Sequence, residues 1–286
     1  MTDYSKTASS PEASIKDQEA LKELAVITIN HQHGEKLKKM LESLMLSIDD
    51  LAHQIYVVNN LDDREIKSWL AESYPEIVLV DNEQPKGFAG NINAVIKNHL
   101  DYKFFLLINP DVICLPGMVD ELLTVMRQDS QIGVAGPMLL NMDGSIQPSR
   151  RRFASLPVLI VRALHLDSLF KNLASVDAYF MNDVDFDDLT PVNWLTGAVM
   201  LLRKGALDEV GLFDERFYMY FEDEDLCCRM WQKGWKVCYS KTAQAYHEHI
   251  AEGRKKILSQ ANIHHITSAF KMLIKYHGKI SRCIDQ

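Results

Sequence analysis

Four short, almost unbroken apolar runs constrain this chain more than any other feature. They lie at residues 24–30 (LAVITIN), 55–60 (IYVVNN), 77–82 (IVLVDN) and 104–109 (FFLLIN). Each has the length of a strand, and the set is rich in Val and Ile with little polar alternation, so both faces of each run need cover. Between them, residues 35–46, 63–72 and 89–100 carry apolar side chains at helical spacing. Strand–helix alternation of this kind predicts βαβ units and an α/β fold with a mostly parallel, Rossmann-like central sheet flanked by helices.

Beyond Pro116 the spacing predicts a helix over 117–128 and a strand over 133–140. The pattern then loosens. A basic stretch occupies 148–153 within QPSRRRF, helical spacing runs over 156–173, and an acidic loop spans 183–188. Residues 194–203 (WLTGAVMLLR) read as one strand, followed by a short helix to Val210, a helix over 222–233, a strand over 235–240 and helix over 254–276. We therefore expect a polar, disordered leader at 1–22, one catalytic-type domain at 23–250 and a basic helical C-terminal extension at 251–286.

Composition excludes several function classes. With 286 residues and a net charge of −8, the surface as a whole is not built to hold nucleic acid. No run approaches the ~20 apolar residues that span a bilayer, and the first 22 residues lack the apolar core of a secretory signal. Five cysteines (Cys114, Cys227, Cys228, Cys238, Cys283) include no C-x-x-C pair, which predicts packed thiols in a reducing, cytoplasmic compartment rather than disulfides or a zinc site. Charge is uneven, however. From residue 254 onward seven cations (Arg254, Lys255, Lys256, Lys271, Lys275, Lys279, Arg282) face the single acid Asp285. Such a run is either a solvated helix face or a patch for anionic lipid, where each cation is worth roughly 1 kcal/mol.

Polar residues end the clearest strands: Asn30, Asn59 with Asn60, Asn82, and Asn109-Pro110-Asp111. Any one of these asparagines is explained by a turn. Four at one sheet edge favour a site, because ligands of open α/β sheets bind at the carboxyl ends of strands. In LLINPDV the proline fixes the turn, and Asp111 is either a local cap near Pro116 or a carboxylate for a hard cation bridging diphosphate oxygens. Four consecutive acids, Glu222, Asp223, Glu224 and Asp225, open a helix behind an aromatic wall of Phe217, Tyr218, Tyr220 and Phe221. Helix-terminal charge preference accounts for one or two of them. Crowded carboxylates split their pKa values, a route to a general base, and Asp225 is at i,i+4 spacing from Arg229 for a structural pair. The loop PKGFAGNIN at 85–93 allows close backbone approach to an anion at a helix start. In YHEH, His247 and His249 point the same way on extended chain, as surface histidines or metal ligands.

Taken in order, VITIN, VVNN, GFAGNIN, LLINPDV, LNMDGSIQPSRRRF, the WLTGAVMLLRKGALDEVGLFDERFYMYFEDEDLCCRMWQKGW block and YHEH resemble the family-two glycosyltransferases of GT-A fold, from about residue 24 to 250. The FDERFYMYFEDEDLC block preceded by NW-x-TGA is most similar to bacterial rhamnosyltransferases of surface-polysaccharide assembly. The resemblance implies that Asp111 binds Mg²⁺ or Mn²⁺ with Asn109 nearby, and that His247, or its rival His249, completes the metal or diphosphate site. Asp223 would be the general base and Glu222 would orient the base or the acceptor. Gly87, Phe88, Asn91 and Asn93, with Asn30 and Asn59, would shape the donor pocket, and Trp194 and Gly197 the acceptor side. The family's usual carboxylate at the end of the second strand, which accepts a hydrogen bond from the base, is Asn59 here; its amide oxygen can still accept that bond without charge assistance, and Asp81 and Asp62 are the alternatives.

The resemblance thus implies an inverting, in-line transfer from a nucleotide-diphosphate sugar, dTDP-rhamnose favoured over UDP- and GDP-sugars. The acceptor would be a glycan or polyprenyl-linked hydroxyl, with peripheral contact to an anionic membrane face. Two rival classes are a sugar nucleotidyltransferase, which would want a basic Gly-rich N-terminal loop absent here, and a non-catalytic nucleotide-sugar binder, which would not need FEDED.

Overall fold

The computed structural model describes residues 22–48, 51, 53–163, 174–248, 259–280 and 283. The first half alternates as its apolar runs require: β1 (Lys22–Asn30), α1 (Gly34–Met45), β2 (His53–Asn59), α2 (Arg64–Ser73), β3 (Val78–Asp81), α3 (Phe88–Asn98) and β4 (Tyr102–Ile108). There follow β5 (Val112–Cys114), α4 (Met118–Gln128), β6 (Ile132–Leu140) and β7 (Arg150–Arg151). The second half holds α5 (Leu156–Ala163), α6 (Ala174–Tyr179), β8 (Leu189–Pro191), β9 (Trp194–Leu195), β10 (Val199–Arg203) and α7 (Lys204–Val210). It closes with α8 (Glu222–Gln232), β11 (Lys236–His247) and α9 (Gln260–Lys275).

One sheet runs β3-β2-β1-β4-β10-β6-β11-β5, with β8 added to β11. Strands β3, β2, β1 and β4 are mutually parallel, while β10 enters antiparallel between β4 and β6. Alternate residues of the same strand serve two separate cores. Leu24, Val26, Val57 and Leu106 face α1 and α4, through Leu37, Leu41, Leu122 and Met126. Ala25, Ile27, Val58 and Leu107 face α3 and α8, through Ile92, Val95, Leu226 and Cys228. This is why the runs show no polar alternation: each fully buried Leu or Val is worth roughly 1.5–3 kcal/mol on whichever side it falls.

Two expectations change. The strand read over 194–203 is two strands, β9 and β10, broken at Thr196–Ala198, where the chain turns toward the site. The cysteines are not all thiols: Cys228 of α8 is disulfide-bonded to Cys283, while Cys114, Cys227 and Cys238 are buried and free. The C-terminal helix α9 is packed onto the domain. In α9 and just after it, Lys275 and Tyr276 reach the buried Asp225 of α8 at 2.5 and 2.7 Å, and Lys271 donates to the Arg216 carbonyl at 2.6 Å. Of the leader expected at 1–22, Lys22 opens β1, while residues 1–21, His249 and the cations Arg254, Lys255, Lys256 and Arg282 lie outside the described residues. Among the described residues no helix is long and apolar enough to cross a membrane.

Candidate active site

A cleft of ≈590 Å³ opens along the carboxyl ends of the central strands, lined among others by Phe88, Asn109, Asp111, Gln147, Trp194, Gly197, Glu222, Asp223 and His247. Its size and mixed polar and aromatic lining suit a small-molecule site.

Sheet register builds one end. Asp111 sits in the turn between β4 and β5, and β5 pairs antiparallel with the end of β11, placing Val112 opposite His247. The Glu248 N–H donates to the Asp111 carbonyl at 2.8 Å, which locks the turn to that strand end. As a result His247 Nε2 lies 3.4 Å from Asp111 Oδ1. Burial works to raise the Asp111 carboxyl, but the neighbouring His247 and Lys36 outweigh it and hold the group below its ordinary range.

Gln147 decides which way His247 is turned. Its amide NH₂ donates to the His247 carbonyl at 2.7 Å and to Asn141 Oδ1 at 2.8 Å, so its oxygen faces His247 Nδ1 at 2.9 Å. Nδ1 therefore carries the proton in the neutral ring, and the Nε2 lone pair is aimed at Asp111. Asp111 Oδ1 is buried with no hydrogen-bond partner. Two lone-pair atoms converging from a carboxylate and an imidazole are the donor set of a divalent cation. Among the described residues no group of three His, Cys, Asp or Glu could hold a metal. Asp111 and His247 could therefore hold a divalent cation only together with ligand oxygens, as is usual for Mg²⁺ at phosphates. His247, not yet distinguished from His249 in the sequence, occupies this position.

Removing the orienting amide should weaken the cation without touching its ligands. We expect Gln147→Leu to raise the Mn²⁺ concentration needed for half-maximal turnover by about 10–100-fold, with kcat recovered at saturating metal. An unchanged metal dependence would remove Gln147 from this role.

The other end is built by α8. Tyr220 and Phe221 both adopt left-handed backbone (φ 69° and 70°), a conformation costly for bulky aromatics and concentrated at functional sites. This tight entry turns the helix start into the cleft. Asp223 accepts the Gly197 N–H at 2.9 Å on Oδ2 and the Glu224 N–H at 2.8 Å on Oδ1. Its carboxylate is thereby fixed beside Phe88, whose ring meets the position a Gly197 Cβ would take at 3.4 Å. Glu222 is enclosed, and burial, then the neighbouring charge of Asp223, pushes its carboxyl well above its ordinary value. Glu224 is also buried and accepts the Ala154 N–H at 3.3 Å. The acids therefore divide the labour the sequence left open: Asp223 faces the cleft, while Asp225 is wholly buried and pairs with Arg229 at 3.0 Å.

Several expected donor-pocket residues hold the frame instead of facing the cleft. Asn93 is buried, and its amide bonds the backbone of Phe213 and the Glu215 carboxylate. Asn91 is buried too, and with Asn60 and Asn82 it holds the Lys86 backbone. At Gly87 an added Cβ would lie 2.3 Å from the Tyr218 carbonyl, so this glycine serves the approach of two backbones. Asn30 caps the next turn through the His33 N–H and donates to Asn59 and Asp63. Asn59 is 1% exposed; its oxygen accepts from Asn30 and its NH₂ donates to Asp81 Oδ1 at 2.9 Å. Phe88, Asn109, Trp194 and Gly197 do line the cleft.

Three cleft residues escaped the sequence reading. Gln147 acts on a histidine 100 residues away. Arg151 lies 4.9 Å over Trp194 and 5.4 Å over Phe180, a guanidinium held by ring faces. His265 of α9 packs on Tyr220 and Phe221. Only the basic QPSRRRF stretch carried any signal for the first two.

Residues 22–263 match the family described as Glycosyltransferase like family 2. An N-acetylglucosaminyl-diphospho-decaprenol L-rhamnosyltransferase of Mycobacterium tuberculosis (strain CDC 1551 / Oshkosh) is 27% identical over 89% of this chain and 85% of its own length. Rhamnosyltransferase WbbL of Escherichia coli (strain K12) is 26% identical over 91% of this chain and 96% of its own length. Among solved structures, GalNAc-T7 with UDP, GalNAc and Mn²⁺ superimposes with a TM-score of 0.59 at 15% identity, covering 82% of this chain, which spans 45% of that longer one. The mannosyltransferase PcManGT of Pyrobaculum calidifontis, in complex with GDP-Man and Mn²⁺, gives 0.56 at 10% identity, covering 93% of this chain and 73% of its own. These two likenesses show the GT-A arrangement of sheet and helices. With the family match covering most of its length, the chain belongs to the glycosyltransferase 2 family and is an enzyme of that class.

Proposed function

We propose that this enzyme transfers L-rhamnose from dTDP-rhamnose to a hydroxyl of a polyprenyl-diphosphate-linked saccharide at the cytoplasmic face of a membrane, with inversion. The observation that carries the reaction type is the opposition, across one cleft, of a metal half-site (Asp111, His247) and a carboxylate held by two backbone N–H groups (Asp223). The sugar rests on the names of both relatives and the acceptor on that of the mycobacterial one alone, while the dTDP carrier rests on the sequence resemblance.

In this reading Asp223 accepts the proton of the acceptor hydroxyl as its oxygen bonds to the anomeric carbon, and the bond to the diphosphate breaks with the electron pair leaving on the phosphate oxygen. Attack opposite the departing group inverts the anomeric centre. Asp111 and His247 would hold Mg²⁺ or Mn²⁺, which when bound neutralises charge on the diphosphate. Arg151, stacked over Trp194, adds a permanent positive charge to the cleft lining. Burial and then the charge of Asp223 push the Glu222 carboxyl well above its ordinary value, so of the two Asp223 is the more readily ionised and the better placed to take a proton. We assign base reading to Asp81, because Asn59 turns its own oxygen to Asn30 and points its NH₂ at Asp81.

Thermal unfolding with nucleotide-sugars tests the donor. A ligand at about 100 times its Kd adds ~2.7 kcal/mol, roughly 5–10 °C for a chain of this size. We expect that rise for dTDP-rhamnose with Mn²⁺ and its loss in Asp111→Asn. A rise confined to UDP- or GDP-sugars would discard rhamnose and keep the transferase; no rise with any donor would remove the donor site.

A further inference from the structure

Helix α9 is inside out. Its buried face is Asn262, His265, Ser268, Ala269 and Met272, whereas Ile263, Ile266, Phe270 and Ile274 are 51%, 45%, 63% and 60% exposed. Spacings of three, four and four residues put those four in one stripe on the outward side. A soluble surface helix carries the reverse pattern, and an apolar stripe kept in water marks a contact surface. Tyr218 and Met219, each more than a third exposed, flank the helix: Tyr218 stacks on His264 at 4.7 Å, and Ser268 donates to the Met219 carbonyl at 2.8 Å. Met219 and His265 also line the cleft, so α9 is one wall of the site with its apolar side turned away from it.

We propose that this stripe docks the enzyme on an anionic phospholipid bilayer, lying in the interface with Ile263, Ile266, Phe270 and Ile274 among the acyl chains. Charge selects the partner. No acid occurs between Glu252 and Asp285, and Arg254, Lys255 and Lys256 before the helix and Lys279 and Arg282 after it flank the stripe in sequence. An apolar helical face bracketed by cations is the signature of an interfacial helix. Lys271 and Lys275 are spent inside the protein, so insertion by apolar side chains, not the helix's own lysines, supplies the grip. A second copy fits less well, since four side chains on one convex helix fall short of the ~800 Å² per partner of a stable interface. The proposal deepens the lipid-linked acceptor reading and rests on it for its purpose, though not for its geometry: a lipid-borne diphosphate would reach the cleft past Tyr218 and Met219.

Flotation with phosphatidylcholine vesicles, with and without phosphatidylglycerol, tests it using the full chain. We expect binding to the anionic vesicles, partly surviving about 0.5 M salt because apolar insertion is not screened. The double variant Phe270→Ser/Ile274→Ser, at exposed positions, should bind about tenfold less and keep turnover of a water-soluble short-chain acceptor. Lys255→Gln/Lys256→Gln should lose only the salt-sensitive part. No vesicle binding, undiminished binding of the Ser variant, or a wild-type dimer that this variant dissociates in sedimentation would overturn docking. Flotation as expected, with no transfer of rhamnose to any acceptor, would uphold docking and sink the transfer assignment instead.

Discussion

Asp223→Asn should lose about a thousandfold in kcat while binding donor as the wild type does. General-base removal costs 10²–10⁴-fold in typical enzymes, and the neighbouring acids are poorly placed to compensate: the Glu222 carboxyl is pushed well above its ordinary value by burial and by Asp223, Glu224 accepts the buried Ala154 N–H, and Asp225 is paired with cations. The asparagine retains one acceptor for the Gly197 or Glu224 N–H, so the fold should lose no more than about 1 kcal/mol. Glu222→Gln is the matched comparison. A glutamine keeps the size and hydrogen-bonding reach of the acid without its charge, so turnover should fall only a fewfold. Because the folded protein holds the Glu222 proton more tightly than the unfolded chain, its stability is drained as pH rises above the ordinary 4.5 of that group. The variant should therefore show a flatter decline of Tm with rising pH. Single-turnover rates and Tm against pH for both variants decide the matter. Near-normal kcat in Asp223→Asn, or a thousandfold loss in Glu222→Gln, would exchange or remove the assigned roles.

What could be read without coordinates follows the range of the forces involved. The strands of the first half were legible because burial on two faces leaves a local mark, the unbroken apolar run, and β1, β2, β3 and β4 fall within two residues of the expected bounds. Strand β10 fits that composition as well, yet its antiparallel entry between β4 and β6 is a decision of packing that no local residue records. The break at Thr196–Ala198 escaped for a related reason: the chain leaves the strand to lend one N–H to a carboxylate 26 residues on. Gln147 is the sharper case. An amide that orients a histidine 100 residues away has no sequence signature, and only the β5–β11 register brings its target to Asp111. The asparagines are a different case. Their residue type signals a polar sheet edge, which exists, but Asn30, Asn59, Asn60, Asn91 and Asn93 satisfy one another and nearby backbone there. A buried amide needs partners, and the nearest are its own kind. The Cys228–Cys283 bond likewise depends on where α8 and the chain end meet, which spacing does not disclose.

Asp225, two residues along the same helix, should respond in the opposite sense to Asp223. Its carboxylate is 0% exposed and takes Arg229 at 3.0 Å, Lys275 at 2.5 Å and the Tyr276 hydroxyl at 2.7 Å. Removing one partner from a buried pair costs about 3–5 kcal/mol, because the remaining charge keeps its desolvation penalty without compensation. Some of that is recoverable here: Lys275 retains Asp214 at 2.7 Å, and Arg229 retains the carbonyls of Val210, Gly211 and Leu212. We therefore expect Asp225→Ala to cost about 3 kcal/mol, lowering Tm by roughly 6–12 °C. Below that transition the folded fraction should turn over within a fewfold of wild type, since Asp223 keeps its two N–H donors. The cause is the joint between α8 and α9, so Tyr276→Phe should reproduce a smaller loss of about 1 kcal/mol with kcat intact. Paired measurements of Tm and kcat separate the two acids. Unchanged Tm with lost turnover in Asp225→Ala would place this carboxylate in the chemistry and undo the division of roles along the helix.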